Sequence, residues 1–244
     1  NPSTEYFQKE RREQVAQLQM NLLKKKIDTR FAPYNSILDI GGGDGTFAKL
    51  AFKNGFSVTM LDPAATAERE MSDDGNELYI GTEGIESLCS SRAFDIITMF
   101  DVIEHVDYPI QLISQAYARL KNGGVLILET GNYQSVQRAW TGLEWWAYQH
   151  DHRWYFHPAV FVDILGKLGF KDVNVHDCVL RPNRFPVDAP YLGPSRIKLL
   201  RRAIGRPGSA RYTLGAYADL VRMAKKWPFW CKLNIFAITA SKYD

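Results

Sequence analysis

Apolar residues along the 244-residue chain fall into short unbroken runs separated by stretches with helical spacing. The runs at 36–40, 56–61, 78–80, 94–100 and 124–129 have the length and apolar continuity of strands buried on both faces. Between them, Phe47, Leu50 and Ala51 mark a helix that ends at Asn54-Gly55, a common helix stop, and 110–120 repeats the helical pattern. Upstream, 4–26 is rich in helix formers, with Val15, Leu18 and Leu22 at helical spacing. It reads as a brace or lid that ends before Pro33. Downstream, 159–168 is an amphipathic helix closed by Gly169, 170–180 a strand, and 232–242 a last strand. There are no internal repeats and no low-complexity tract.

Strands alternating with helices predict an α/β fold, a doubly wound and mostly parallel sheet covered on both faces. Ligands of such sheets sit beyond the carboxyl ends of the strands. The distinctive polar residues cluster there: 39–45, Asp62, Glu83, 101–105 and 129–132. Core packing alone gives no reason for that concentration.

An apolar fraction of 45% and a charged fraction of 23% are those of an ordinary globular protein, sized for one generous domain or a core with a cap. Cys89, Cys178 and Cys231 are scattered, with no Cys-x-x-Cys pair. This argues against a zinc or disulfide framework and fits a reducing cytosol. No run approaches transmembrane length and no signal peptide is evident. The chain opens on Asn1 rather than Met, so it is expected to be trimmed or part of something longer. Charge is uneven. The stretch 189–232 carries ten Lys or Arg against one acid, Asp219, so the remainder is net acidic.

The first strand runs into Asp39-Ile40-Gly41-Gly42-Gly43-Asp44-Gly45. Glycines cost backbone entropy, and such a cluster implies close approach of a ligand at a helix N-terminus. A dinucleotide fingerprint needs a third glycine where Thr46 stands, so that match fails. The stretch instead resembles the first motif of class I S-adenosylmethionine-dependent methyltransferases. The resemblance implies a Rossmann-like sheet and S-adenosyl-L-methionine as cofactor. It places Gly41, Gly43 and Gly45 against the methionine part, with Asp39 beside the loop. It assigns the ribose hydroxyls to Asp62, seventeen residues past Gly45. The adenine contact falls on the looser stretch 79–85, with Glu83 and Gly84 favoured and Thr82 as the alternative.

The stretch FDIITMFDVIEHV, 94–106, closely resembles the corresponding motif of the ubiquinone-biosynthesis O-methyltransferase type and its relatives. That likeness puts Asp101 near the methionine end of the cofactor. It continues through 127–132 and His152-Arg153-Trp154-Tyr155-Phe156 to 168–170, covering roughly 30–180. The expected organisation is a helical cap over 1–30, a cofactor-binding core over 31–180, a basic helical insertion over 181–230, and a last strand over 231–244. The insertion, with helices at 195–204 and 209–226, departs from the simple family pattern.

For catalysis the candidates are His152 and His150. A neutral imidazole can take the proton from an attacking hydroxyl, and the resemblance sets His152 beside the substrate pocket. His105 reads as structural. His150, Asp151 and His152 have metal-ligand character but no accompanying ligand cluster, so no metal is expected. Trp140, Trp145, Trp146, Tyr148, Trp154 and Tyr155 form either a packed cap or the wall of a pocket for a sugar, an aromatic ring or a lipid head. The basic segment is a solvated face, a contact to an anionic membrane through 195–230, or a site for a phosphorylated substrate. Nothing favours nucleic acid: no Asp-Pro-Pro-Tyr or Pro-Cys follows the fourth strand. The expected function is methyl transfer to an oxygen of a small-molecule or sugar/lipid-linked acceptor, in the cytoplasm or at the membrane surface. N-methylation, an NAD-dependent oxidoreductase and a catalytically silent partner protein are the alternatives.

Overall fold

The computed structural model describes residues 2–27, 34–135, 138, 143, 145–177 and 235–243. The expected basic insertion, its two helices, Trp140 and the membrane contact through 195–230 lie outside these residues.

The elements, in chain order, are α1 (Pro2–Lys26), β1 (Ser36–Ile40), α2 (Thr46–Lys53), β2 (Ser57–Leu61), β3 (Glu68–Met71), β4 (Glu77–Gly81), a 3-10 turn (Ile85–Ser87), β5 (Phe94–Phe100), α3 (Pro109–Arg119), β6 (Leu120–Gly131), α4 (Pro158–Lys167), β7 (Lys171–Asp177) and β8 (Ile235–Ser241). The strands form one sheet in the order β3-β4-β2-β1-β5-β6-β8-β7. Pairing is parallel from β4 through β6, while β8 runs antiparallel to both β6 and β7.

The chain winds outward from β1 to β2 and β4, then returns to β5 on the other side of β1. The topological switch point therefore lies between β1 and β5, where crevices open in such sheets. Register aligns the strand ends: Ile40 sits opposite Leu61 and Met99, Leu61 opposite Gly81, and Phe100 opposite Glu129. Gly41, Asp62 and Asp101 each follow directly on one of these ends, so residues far apart in sequence share one edge.

Side-chain alternation splits the core. Leu38, Ile40, Ile97 and Met99 pack on one face, Ile37, Val58, Met60 and Ile96 on the other. The second face is covered by α2 and α1. On α1 the buried stripe is Ala16, Met20 and Leu23, spaced i, i+4, i+7. The expected stripe of Val15, Leu18 and Leu22 is only half-buried. Leu18 and Leu22 pack toward Trp146 and Ala237, and Leu22 also touches the core that Ala16, Met20 and Leu23 enter, so α1 reaches along the face as far as β8.

The sequence pattern did not predict β3. It is polar, Glu-Arg-Glu-Met, and mostly exposed, because an edge strand needs only backbone partners. A tight turn at Gly75, with φ of 81° and a Gly75 N–H to Ser72 carbonyl bond of 3.0 Å, folds it against β4. β6 also extends further than 124–129 at both ends.

Candidate functional site

Between β1 and α2 the backbone turns through Gly41, Gly43 and Gly45, with φ of 71°, 60° and 78°. L-residues rarely adopt this region. At Gly41 a side chain would also collide: an added Cβ would stand 2.5 Å from Val102 Cγ2. Gly42 is walled in as well, its added Cβ 2.4 Å from Asp39 Oδ2 and 2.6 Å from Met60 Sδ. Gly43, by contrast, faces open space. The loop is thus held from beneath and open above.

Two carboxylates support it. Asp62, at the end of β2, accepts the Gly43 N–H at 2.8 Å and the Ala64 N–H at 2.8 Å, tying the second strand to the loop. Asp39 is 1% exposed and lies opposite Thr98 and Met60 in the sheet. Its Oδ1 accepts the Thr98 hydroxyl at 2.7 Å, whereas Oδ2 is buried without a partner. Burial, with the nearby Asp62 charge adding to it and the Thr98 bond opposing it, raises the Asp39 carboxyl to about 7.

Glu83 follows β4 and folds back on its own strand. Its Oε1 accepts the Tyr79 hydroxyl at 2.6 Å, a bond that holds the carboxyl below its ordinary range. Gly84 is extended, with φ of −81°, and Thr82 beside it is exposed. Asp101, at the end of β5, has φ of 54°, a conformation Asp tolerates better than most residues. Its N–H donates to the Glu129 carbonyl at 3.1 Å.

A cavity of about 390 Å³ opens between α1 and this loop, lined among others by Arg12, Val15 and Gln19 of α1 and by Asp44, Phe47 and Asp101. The volume suits a small-molecule site. Arg12 closes one side through a 2.7 Å ion pair with Asp44, whose carboxyl also takes the Thr46 N–H and hydroxyl. Burial opposes ionisation of Asp44, but the Thr46 and Arg12 contacts outweigh it and lower its pKa.

After β5 and β6, the segment 150–156 is laid against 104–106 by backbone bonds. The Glu104 carbonyl accepts the N–H groups of Arg153 and Trp154 at 2.8 and 3.2 Å, and Trp154 Nε1 donates to the Val106 carbonyl at 2.8 Å. This brings His152 onto His105, ring centroids 4.6 Å apart and perpendicular. His105 in turn contacts Asp151, Nδ1 to Oδ2 at 3.4 Å. Burial lowers the His152 pKa, and the His105 charge lowers it further against the opposing pull of Asp151 and Asp101. A neutral imidazole therefore stands within electrostatic reach of Asp101.

Buried Glu104 accepts the Thr130 hydroxyl at 2.9 Å. Its carboxylate and the rings of His105 and His152 offer ligand atoms all within 4.8 Å of one another, a set that could hold a divalent cation. His150 is exposed and stands outside this group. Glu104 and Thr98 received no role from sequence. Both act through partners brought together only by strand pairing, which no local pattern reveals.

Comparison with known proteins shows the family and the fold. A family described as "Methyltransferase domain" matches residues 7–175. A mitochondrial ubiquinone biosynthesis O-methyltransferase from Candida albicans is 33% identical over 110 residues, covering 41% of this chain and 34% of that protein. The corresponding protein of Vibrio parahaemolyticus is 27% identical over 175 residues, covering 66% of this chain and 74% of its own. The chain thus spans only about a third of the Candida protein. A crystal structure of a SAM-dependent methyltransferase from Thermotoga maritima superposes with a TM-score of 0.58 at 17% identity, covering 99% of this chain and 95% of the other, and shares its fold.

Proposed function

The chain belongs to the methyltransferase-domain family of S-adenosylmethionine-dependent enzymes, and from that premise we propose that it methylates an oxygen of a small-molecule or sugar/lipid-linked acceptor. The observation that carries this reading is the half-buried, neutral His152, held edge-on by His105 and within electrostatic reach of Asp101 at the end of β5.

The residues present fit the cofactor. Gly41 and Gly43 offer a close-approach backbone with open space above Gly43, and Asp39 supports the loop from beneath. In this reading Asp62 takes the ribose hydroxyls with the lone pairs left over from its two amide bonds, and Asp101 faces the methionine end. Glu83 or Thr82, with Gly84, meets the adenine. When bound, the cofactor supplies a methyl group on a sulfonium, which leaves without needing a proton. The protein's task is then alignment and removal of the acceptor's proton. His152 is placed for that removal. Its lowered pKa keeps it unprotonated at neutral pH, and His105 fixes its ring edge-on. His150 is the weaker candidate because it is exposed.

The homologous ubiquinone O-methyltransferases favour oxygen over nitrogen as the accepting atom, with N-methylation the alternative. No helix among the described residues is long and apolar enough to cross a membrane. We place the protein in the cytoplasm, with 195–230 available for peripheral contact to an anionic membrane. A second reading rests on Glu104, His105 and His152. A divalent cation held there would lower the acceptor hydroxyl's pKa enough for solvent water to take its proton, and His152 would then be a ligand rather than the base.

The test is transfer of labelled methyl groups from S-adenosylmethionine to a panel of phenolic, sugar and amine acceptors. His152→Gln should lower kcat about 100-fold or more on hydroxyl acceptors, with little change in KM, as expected for loss of a general base. His150→Gln should change little. Labelling confined to amines would overturn the oxygen assignment, and loss of turnover on chelation would favour the cation reading.

A further inference from the structure

Beyond β6 the chain folds four aromatic rings against one another. Ring centroids lie 6.0 Å apart for Tyr133–Trp145, 5.9 Å for Tyr133–Tyr155, 6.0 Å for Trp145–Tyr155, and 5.2 Å for both Trp145–Tyr148 and Tyr148–Tyr155. The set is anchored to the sheet edge already described. Tyr133 N–H donates to the Phe156 carbonyl at 2.8 Å, and a Cβ added at Gly131 would meet Ala147 and Trp145 at 3.4 and 3.8 Å. Tyr155 belongs to the same short segment as His152. The cluster is not a sealed core: Trp145 is 2% exposed, but Tyr148 and Tyr155 are 37% and 38% exposed. One side of the aromatic wall is therefore open.

Two hydrogen-bond donors border this wall without partners. The Arg138 guanidinium stacks over the Tyr133 ring, its central carbon 4.2 Å from the centroid. Arg138 Nε is buried and unpaired, and among the described residues no carboxylate neutralises the guanidinium. Trp145 Nε1 is likewise buried and unpaired. Buried donors are rarely left without an acceptor, and a stacked guanidinium presents its planar fork to carboxylate or phosphate. Both side chains pack against the Tyr133 ring. A purely structural cap would need neither the cation nor the open side.

We propose that Arg138 and the wall of Tyr133, Trp145, Tyr148 and Tyr155 form the recognition site for the methyl acceptor, and that this acceptor presents a flat ring or sugar face bearing an oxyanion. The proposal rests on the methyltransferase reading for its location and names the substrate class of that site. Tyr133 and Tyr155 pack against the face of the acceptor. Arg138 takes two of its anionic oxygens, and the Trp145 indole N–H donates to a remaining acceptor atom. Carboxylate and phosphate share this chemistry.

The test uses phenol, benzoate and phenyl phosphate, which share a ring and differ in charge, titrated into protein saturated with S-adenosylhomocysteine. Benzoate or phenyl phosphate should bind about tenfold or more tightly than phenol, the value of a charge-assisted contact. Arg138→Met, which keeps the apolar stem over Tyr133, should reduce the anion to the phenol level. Arg138→Lys should retain part of the preference. Trp145→Phe should weaken the anion severalfold, with folding checked by unchanged S-adenosylhomocysteine affinity. A preference for phenyl phosphate alone points to a phosphorylated acceptor, and one for benzoate alone to a carboxylic acid. Equal binding of all three probes, an anion preference that survives Arg138→Met, or no binding of any probe overturns the proposal. Failure of S-adenosylhomocysteine itself to bind would strike the methyltransferase reading instead, so the two failures are distinguishable.

Discussion

Asp39 concentrates the tension of this site in one side chain. It is buried, bonded on one oxygen by Thr98 and unpartnered on the other. Its carboxyl titrates near 7 in the folded chain against an ordinary value of 3.8. The raised folded value means that the native state holds a proton which the unfolded chain releases at lower pH. Its stabilising contribution is therefore complete below about 4 and is lost as pH rises through 7. Melting temperature should fall between pH 5 and 8 in the cofactor-free protein, and Asp39→Asn, which cannot ionise, should flatten that fall. A profile unchanged by the substitution would mean that other groups govern it. Gly41 makes a second residue-scale prediction. With φ of 71° and Val102 Cγ2 in the way, Gly41→Ala should destabilise by about 1–3 kcal/mol, read from a denaturant midpoint. Both residues stood out in the sequence, where an acid and glycines behind an apolar run signalled a ligand turn. The Thr98 partnership did not, because it depends on the Asp39–Thr98 register.

At the scale of elements, α1 is held by two unequal means. The Arg12–Asp44 pair joins side chains 58% and 45% exposed, and such pairs contribute at most about 1 kcal/mol. Met20 is fully buried against the sheet face, and truncating such a side chain costs about 2–5 kcal/mol. Met20→Ala should therefore lower the unfolding free energy several times more than Arg12→Ala. Arg12→Ala should instead be felt at the cavity it borders. Equal effects would mean that α1 is attached chiefly by its surface charges. The helix itself was legible from 4–26, but the depth of burial along it was not: Ala16, Met20 and Leu23 lie deepest. Leu18 and Leu22 stay half-buried because they pack toward Trp146 and Ala237, a contact made only once β8 is in place, while Leu22 also borders the main core. β3 escaped notice for a related reason. Its residues carry no apolar alternation, and the hint lay in the Asp74-Gly75 turn rather than in the strand. The buried strands β1, β2 and β5 were read to within a residue because continuous apolar runs require burial on both faces.

For the whole molecule, topology explains why the site is where it is. Winding outward from β1 and returning at β5 leaves a crevice at the switch point, and the register of the parallel strands brings Gly41, Asp62 and Asp101 to its rim. The same edge continues past β6 into the aromatic wall. The proposed cofactor half of the site was legible in the sequence because its candidate residues follow strand ends one by one along the chain. The acceptor half was only partly so, since Glu104, His105 and His152 meet across a segment whose path follows from backbone bonds to Glu104. Cofactor binding is decided by calorimetric titration of the chain and of Asp62→Ala with S-adenosylmethionine, S-adenosylhomocysteine and NAD. Binding of both S-adenosyl ligands and not NAD, weakened about tenfold or more by Asp62→Ala as two charge-assisted ribose contacts are lost, is the predicted result. Binding of NAD, or of no S-adenosyl ligand by folded protein, would contradict it.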